Sequence, residues 1–256
     1  MGRRNYALIL AYDGTRYRGW QRLSNAETIQ GRVEAALEEI FFEPIEISGS
    51  GRTDAGVHAK MQVATFSAPE MPTQKLLLQL RRLLPADIGA MELYRVPERF
   101  HARLSAKDKT YTYCIHNSAA PDVFGRKYRV QIVQKLDVEI MRKAAEKLCG
   151  THDFIAFCSN KHYKKSSVRT LKRIDIEHVG ENLTISMCAD GFLYNMARIL
   201  VGTMLEIGLG KRELGSIDEI FASKRRENAG ETAPAKGLCL TEVRYEHSDF
   251  RQIEVL

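Results

Sequence analysis

The chain holds one tryptophan and five cysteines in 256 residues: Cys114, Cys149, Cys158, Cys188 and Cys239. The cysteines are odd in number and scattered, and none forms Cys-x-x-Cys. That excludes a disulfide framework and predicts free thiols in a reducing, cytoplasmic compartment. The seven histidines show no His-x-x-x-His or other ligand spacing, which argues against a metal site. No apolar run reaches the length of a membrane span. Met1-Gly-Arg-Arg-Asn leads into a strand-like run rather than a signal peptide.

What is present is a moderate excess of positive charge. Lys plus Arg total 38 against 32 for Asp plus Glu, a net charge of +6. This suits a polyanionic partner, although many cytosolic enzymes are as basic. The length allows one large domain or two small ones with a real core.

Periodicity divides the chain into strands and helices. Tyr6–Tyr12 is an apolar run of strand length that ends at the turn signal Asp13-Gly14. Thr15-Arg-Tyr-Arg-Gly-Trp-Gln21 interleaves rings and cations. That pattern suits RNA backbone and base stacking, and equally a loop whose Trp20 packs into the core. Thr28 is placed to cap a helix carrying Ile29, Val33, Ala36, Leu37, Ile40 and Phe41, with Pro44 ending it. Pro44-Ile-Glu-Ile47 and Met61–Phe66 read as strands. A second helix opens at Pro72-Thr73 and closes at Pro85, with Arg81 and Arg82 exposed.

Further on, Thr110–Ile115 alternates as a strand does, and Asp137 caps a helix that Gly150 closes. Leu171–Val179 and Leu183–Ala189 form a hairpin around Gly180-Glu-Asn182. An apolar helix runs from Phe192 to about Leu209, a short one lies near Ile217–Phe221, and Gly237–Tyr245 is the last strand. Each half combines strands with two helices. The prediction is α+β: two similar lobes, residues 1–105 and 106–256, each a mostly antiparallel sheet with helices, and an active-site cleft between them.

The stretch Ser48-Gly-Ser-Gly-Arg-Thr-Asp-Ala-Gly-Val-His-Ala59 stands out. Its glycines let the backbone approach a partner closely or take φ > 0. Among them stand Arg52, Asp54 and His58. Asp54 falls in a loop between strands, where catalytic groups often lie, although a glycine-flanked Asp can equally close its own turn. In the helix from Phe192, Arg198 sits amid apolar residues and shares a face with Asn195 and Gly202. A buried guanidinium needs a carboxylate or several acceptors; otherwise it snorkels to the surface. Lys161–Arg173 is the most basic segment, with no acid between Asp153 and Asp175. RNA contact or a solvated face would each explain it, and Lys161, Lys164 and Lys165 are the candidates for such contact.

Gly51-Arg-Thr-Asp-Ala-Gly-Val-His-Ala59 resembles the signature loop of the tRNA pseudouridine synthase A family. The likeness runs from Tyr12 to Tyr245. It takes in Tyr-Asp-Gly-Thr at 12–15 and Gly-Trp-Gln at 19–21. It also takes in Phe-His-Ala-Arg at 100–103 and Ser-x-Val-Arg-Thr at 166–170, which holds Arg169. Lys109-x-Tyr-x-Tyr113 stands where the family has Arg-x-Tyr-x-Tyr. Other departures are Arg81 for Asn, and Asn195, Ala197 and Ile199 for His, Val and Asn.

The resemblance implies the pseudouridine synthase fold, a tRNA partner and a homodimer. It implies isomerisation of uridine to pseudouridine in the anticodon stem-loop, with no cofactor and no metal. Asp54 would be the catalytic nucleophile, with Arg52 beside it, Tyr111 as the active-site tyrosine and Arg198 as the cation paired with Asp54. His101 and Arg103 would face the cleft. Two other classes compete. A non-catalytic tRNA-binding protein would keep the basic segment but not the Asp–Arg pair. A phosphohydrolase built on Asp54 would want further carboxylates for a metal, and the loop offers none.

Overall fold

The computed structural model describes residues 2–246, which divide into two compact units. Residues 2–108 and 239–246 form the first, and residues 109–238 the second. The first opens with β1 (Arg3–Tyr12), α1 (Ile29–Phe41), β2 (Ser48–Gly49), β3 (His58–Pro69), α2 (Thr73–Leu83) and β4 (Ile88–Val96). β1 lies between β3 and β4 and is antiparallel to both. Its apolar run suits that central position, and Tyr6, Ala7, Leu8 and Leu10 are fully buried.

Thr28 caps α1 as predicted, its Oγ1 accepting the Gly31 N–H at 3.2 Å. The helix stops before Pro44, because Phe42 takes a left-handed conformation at φ 57°. Residues 44–47 do not join the sheet as a strand. Two side chains of α1 satisfy that backbone instead. The Ile47 N–H donates to Glu34 Oε1 at 3.1 Å, and the Ile47 carbonyl accepts from Gln30 Nε2 at 3.2 Å. Ile45 and Ile47 are still buried, and the ladder begins only at β2, which pairs with β3. In α2, Leu76 and Leu80 form the buried stripe. Arg81 is exposed, as expected, and donates to the carbonyls of Ala90 and Met91.

The second unit holds β5 (Asp108–His116), β6 (Val130–Gln131), α3 (Val138–Leu148), β7 (Gly150–Asp153), β8 (Val168–Val179), β9 (Asn182–Ala189), α4 (Met196–Gly208) and α5 (Ser216–Ser223). Its sheet runs β5-β9-β8-β7, with antiparallel neighbours and β6 parallel to β5. Asp137 caps α3 by accepting the Ile140 N–H at 3.1 Å. The β8–β9 hairpin turns at Gly180, whose φ of 59° explains the glycine. α4 begins later than the apolar pattern suggests. Asn195 is left-handed at φ 61°, so the chain from Phe192 bends before the helix can start.

The chain then supplies β10 (Leu238–Arg244), which runs parallel to β3 with Cys239 opposite His58 and Leu240 opposite Ala59. The fold is thus α+β, each unit a mostly antiparallel sheet with helices. Among the described residues no helix is long and apolar enough to cross a membrane.

Candidate active site

The glycine-rich stretch lies between β2 and β3. Its backbone is held from both sides by the segment that follows β1. Ahead of Asp54, the Thr53 carbonyl accepts the Trp20 N–H at 3.0 Å, and Thr53 Oγ1 meets the Tyr12 hydroxyl at 2.8 Å. Gln62 Nε2 donates to Tyr12 Oη at 3.4 Å and to the Gly51 carbonyl at 2.8 Å. Burial drives the Tyr12 pKa well above the usual phenol range, outweighing the opposing bonds to Thr53 and Gln62, so it stays a neutral phenol.

Behind Asp54 the chain turns sharply. The Val57 N–H donates to the Asp54 carbonyl at 3.1 Å, with Gly56 at φ 78° in the position where such a turn needs glycine. The Gly56 N–H reaches the Tyr17 carbonyl at 3.3 Å. The Gly14 N–H donates to His58 Nδ1 at 3.0 Å. A Cβ on Gly14 would stand 2.0 Å from the Val57 carbonyl oxygen. Asp54 is therefore a half-buried carboxylate on a loop whose neighbours on both sides are fixed. Arg52, two residues earlier, is exposed.

This corrects the view of residues 15–21 as a stacking surface. Trp20 is 2% exposed and Tyr17 also 2%. A Cβ on Gly49 would touch the Trp20 ring at 2.6 Å, so the indole lies on that glycine. Arg16 is held by Asp87 and the Tyr17 hydroxyl. Burial alone would raise the Asp87 pKa, but the bonds from Arg16 and Tyr17 win and lower it. The segment is a clamp for the loop of Asp54. The sequence pattern showed Tyr12, Gly14, Gly19 and Trp20 without showing that task.

Of the other expected site residues in the first unit, His101 closes a turn. Its Nδ1 accepts from the Arg103 and Leu104 N–H groups at 3.1 and 3.4 Å. Phe100 is buried against the Tyr245 ring at 5.1 Å, and Arg103 is exposed.

In the second unit Tyr111 and Tyr113 are both buried on β5, as their spacing predicted. Tyr111 meets Phe192 edge-on at 5.0 Å. Tyr113 donates to the Pro234 carbonyl at 2.9 Å. Burial raises its pKa, and the nearby Arg198 cation partly opposes this. Arg198 is half-buried; its Nε donates to the Ala233 carbonyl at 2.7 Å and its Nη1 to Asn195 Oδ1 at 3.2 Å. Gly202, on the same helix face, admits the backbone of Glu231, whose carbonyl oxygen would lie 1.8 Å from an added Cβ. Arg198 and Gly202 thus form one docking face for the 231–233 segment, with Asn195 bonded to Arg198.

Lys161, Lys164 and Lys165 are exposed in the loop before β8. Lys161 lines an open hollow of ≈ 480 Å³ with Ser159, Asn160, His162 and Tyr194. Arg169 braces that loop, donating to the Ser166 and Val168 carbonyls at 2.9 and 2.6 Å and to the Tyr163 hydroxyl at 3.0 Å. Among the described residues no group of three His, Cys, Asp or Glu side chains could hold a metal ion.

Comparison with known proteins agrees on one family. Residues 8–104 and 144–246 match the family model described as tRNA pseudouridine synthase. A protein named tRNA pseudouridine synthase A from Bacillus sp. (strain KSM-64) is 48% identical over 243 residues, 94% of this chain and 99% of its own. Proteins of the same name from Brevibacillus brevis and Acetivibrio thermocellus are 45% and 44% identical, covering 93% and 94% of this chain and 98% and 100% of theirs.

Proposed function

The chain belongs to the tRNA pseudouridine synthase family, a family of isomerases, and from that we propose that it converts uridine to pseudouridine in the anticodon stem-loop of tRNA, with Asp54 as the nucleophile. The reaction breaks N1–C1′, turns the uracil and joins C5 to C1′. The proton lost from C5 is balanced by one gained at N1, so nothing is consumed. A carboxylate serves this chemistry by attack at C1′ or C6 or by assisting elimination at the sugar. The observation that carries the reading is the doubly clamped loop of Asp54, since a reacting group held in place avoids the entropy of positioning.

In this reading the target uridine leaves its stack before reaction. Tyr111 floors the extruded base, Arg52 acts as wedge or phosphate clamp, and His101 and Arg103 line the approach. Arg198 is the cation that keeps Asp54 ionised and aimed. Lys161, Lys164, Lys165 and Arg169 contact the tRNA backbone, and a second copy of the chain makes the working dimer. Incubating the purified protein with unmodified tRNA and mapping pseudouridine should give product in the anticodon stem-loop alone. No product there would end the proposal.

Two variants probe its parts. Arg198→Met nearly keeps the side-chain volume and removes the cation. Its single-turnover rate should fall on the order of a hundredfold, while Arg198→Lys, which keeps charge but not the planar fork, should fall less. Equal rates for Met and the parent would leave Arg198 a structural brace for residues 231–233. Replacing Lys161, Lys164 and Lys165 together by Ala should weaken tRNA binding and flatten its salt dependence by up to about one slope unit per lost phosphate contact. An unchanged slope in a binding titration would mark the segment as solvated only.

A further inference from the structure

The pattern of rings and cations expected at 15–21 is realised on the surface at Val123-Phe-Gly-Arg-Lys-Tyr-Arg129. This stretch lies in the connection between β5 and α3, in the part of the chain between the two stretches matched by the family model. Long connections inside compact units are commonly functional. Phe124 is 94% exposed, Val123 56% and Tyr128 48%.

The exposure comes from a built turn. Asp122 accepts the Gly125 N–H and Arg129 Nη1, each at 2.7 Å. The Tyr128 and Arg129 N–H groups donate to the Gly125 carbonyl at 2.8 and 3.0 Å. A Cβ on Gly125 would meet Asp122 Oδ2 at 2.0 Å, so a side chain there would displace the Asp122 carboxylate from the turn. The base of the connection is pinned as well. Asn117 Nδ2 donates to the Ile132 and Gln134 carbonyls at 2.8 Å, and Asn117 Oδ1 accepts the Leu136 N–H at 3.2 Å.

The charge at the tip selects the occupant. Asp122 is the sole acid between Asp108 and Asp137. Its pKa is lowered first by the Gly125 N–H and then by Arg129, so its negative charge is used inside the turn. Arg126 and Lys127 remain exposed beside Phe124. A second copy of this chain, itself at net charge +6, would bring like charge to that tip. An aromatic face flanked by cations instead fits an unstacked base and its phosphates.

We infer that residues 122–129 form an RNA-stacking contact, in which Phe124 stacks on an unpaired base of the tRNA and Arg126 and Lys127 hold the adjoining phosphates. This rests on tRNA being the substrate, and it adds a binding contact outside the region matched by the family model. Phe124→Ala should weaken tRNA binding by about five- to a hundredfold, the usual worth of one stacked base, and the loss should appear in KM. Phe124→Trp should restore it. Arg126→Gln with Lys127→Gln should reduce the salt slope by about one to two units.

Filter binding reads affinity without turnover, which separates this contact from the proposed activity. Protein that binds tRNA through Phe124 yet forms no pseudouridine would support the contact and sink the activity. Normal pseudouridine formation with parental affinity in Phe124→Ala would sink the contact alone. Parental tRNA affinity with an altered sedimentation coefficient would overturn it too, by making the turn a protein interface.

Discussion

Asp54→Ala is expected to form no detectable pseudouridine in a single-turnover assay, while its tRNA affinity stays within about tenfold of the parent. The two quantities separate because they rest on different groups. Affinity for tRNA comes mainly from cations, and the exposed Lys161, Lys164 and Lys165 are untouched by the change. On the proposed role of Asp54, chemistry rests on one half-buried carboxylate, whose loop hangs on the bonds of Thr53, Gly56 and Val57. None of those bonds uses the Asp54 side chain, so the variant should fold with its loop in place. Asp54→Asn, which keeps the shape, should be equally inactive. Measurable product from either protein would remove Asp54 from the nucleophile's role.

Gly14→Ala should slow isomerisation on the order of a hundredfold although residue 14 carries no reactive group. Its Cβ would stand 2.0 Å from the Val57 oxygen and 2.6 Å from the Val57 carbonyl carbon. Both are backbone atoms and have no rotamer in which to retreat. Either the end of β1 or the turn after Asp54 must shift, and a displacement of about 1 Å at a reacting group can cost about 10²-fold. Stability should fall by roughly 1–3 kcal/mol, the usual cost of overpacking. Parallel measurement of the chemical step and of urea unfolding distinguishes the two effects. Parental values of both would mean the loop tolerates a shift that its hydrogen bonds oppose.

Local chemistry made much of this structure legible. Thr28 and Asp137 announce their helices because a side-chain oxygen ahead of an apolar period can do little else so well. Gly180 announces its hairpin because φ of 59° suits glycine. The Asp54 loop was legible as a string, and its turn at Gly56 follows from composition.

What was illegible depends on partners distant in sequence. Residues 44–47 look like a strand in sequence, but Gln30 and Glu34 take the Ile47 bonds a neighbouring strand would have taken. Arg16, Tyr17 and Trp20 look like a nucleic-acid surface until Asp87 and Gly49 are seen to claim them. The late start of α4 hangs on one left-handed residue, Asn195, within an otherwise helical pattern. Nothing in the alternation of residues 123–129 separates an exposed phenylalanine from a buried one; the bonds of Asp122 decide it.

The pairing of β10 with β3 carries a consequence for the order of synthesis. His58 and Ala59, which follow directly on the Asp54 loop, receive Cys239 and Leu240 as neighbours only after the whole second unit has been made. At ~5–20 residues per second, that edge of β3 waits roughly nine to thirty-six seconds on the ribosome with its N–H and C=O groups unclaimed. A nascent chain released before Cys239 therefore lacks the strand that pairs with β3 beside the Asp54 loop. Prematurely terminated products should be inert on tRNA and should present an open strand edge to chaperones and proteases.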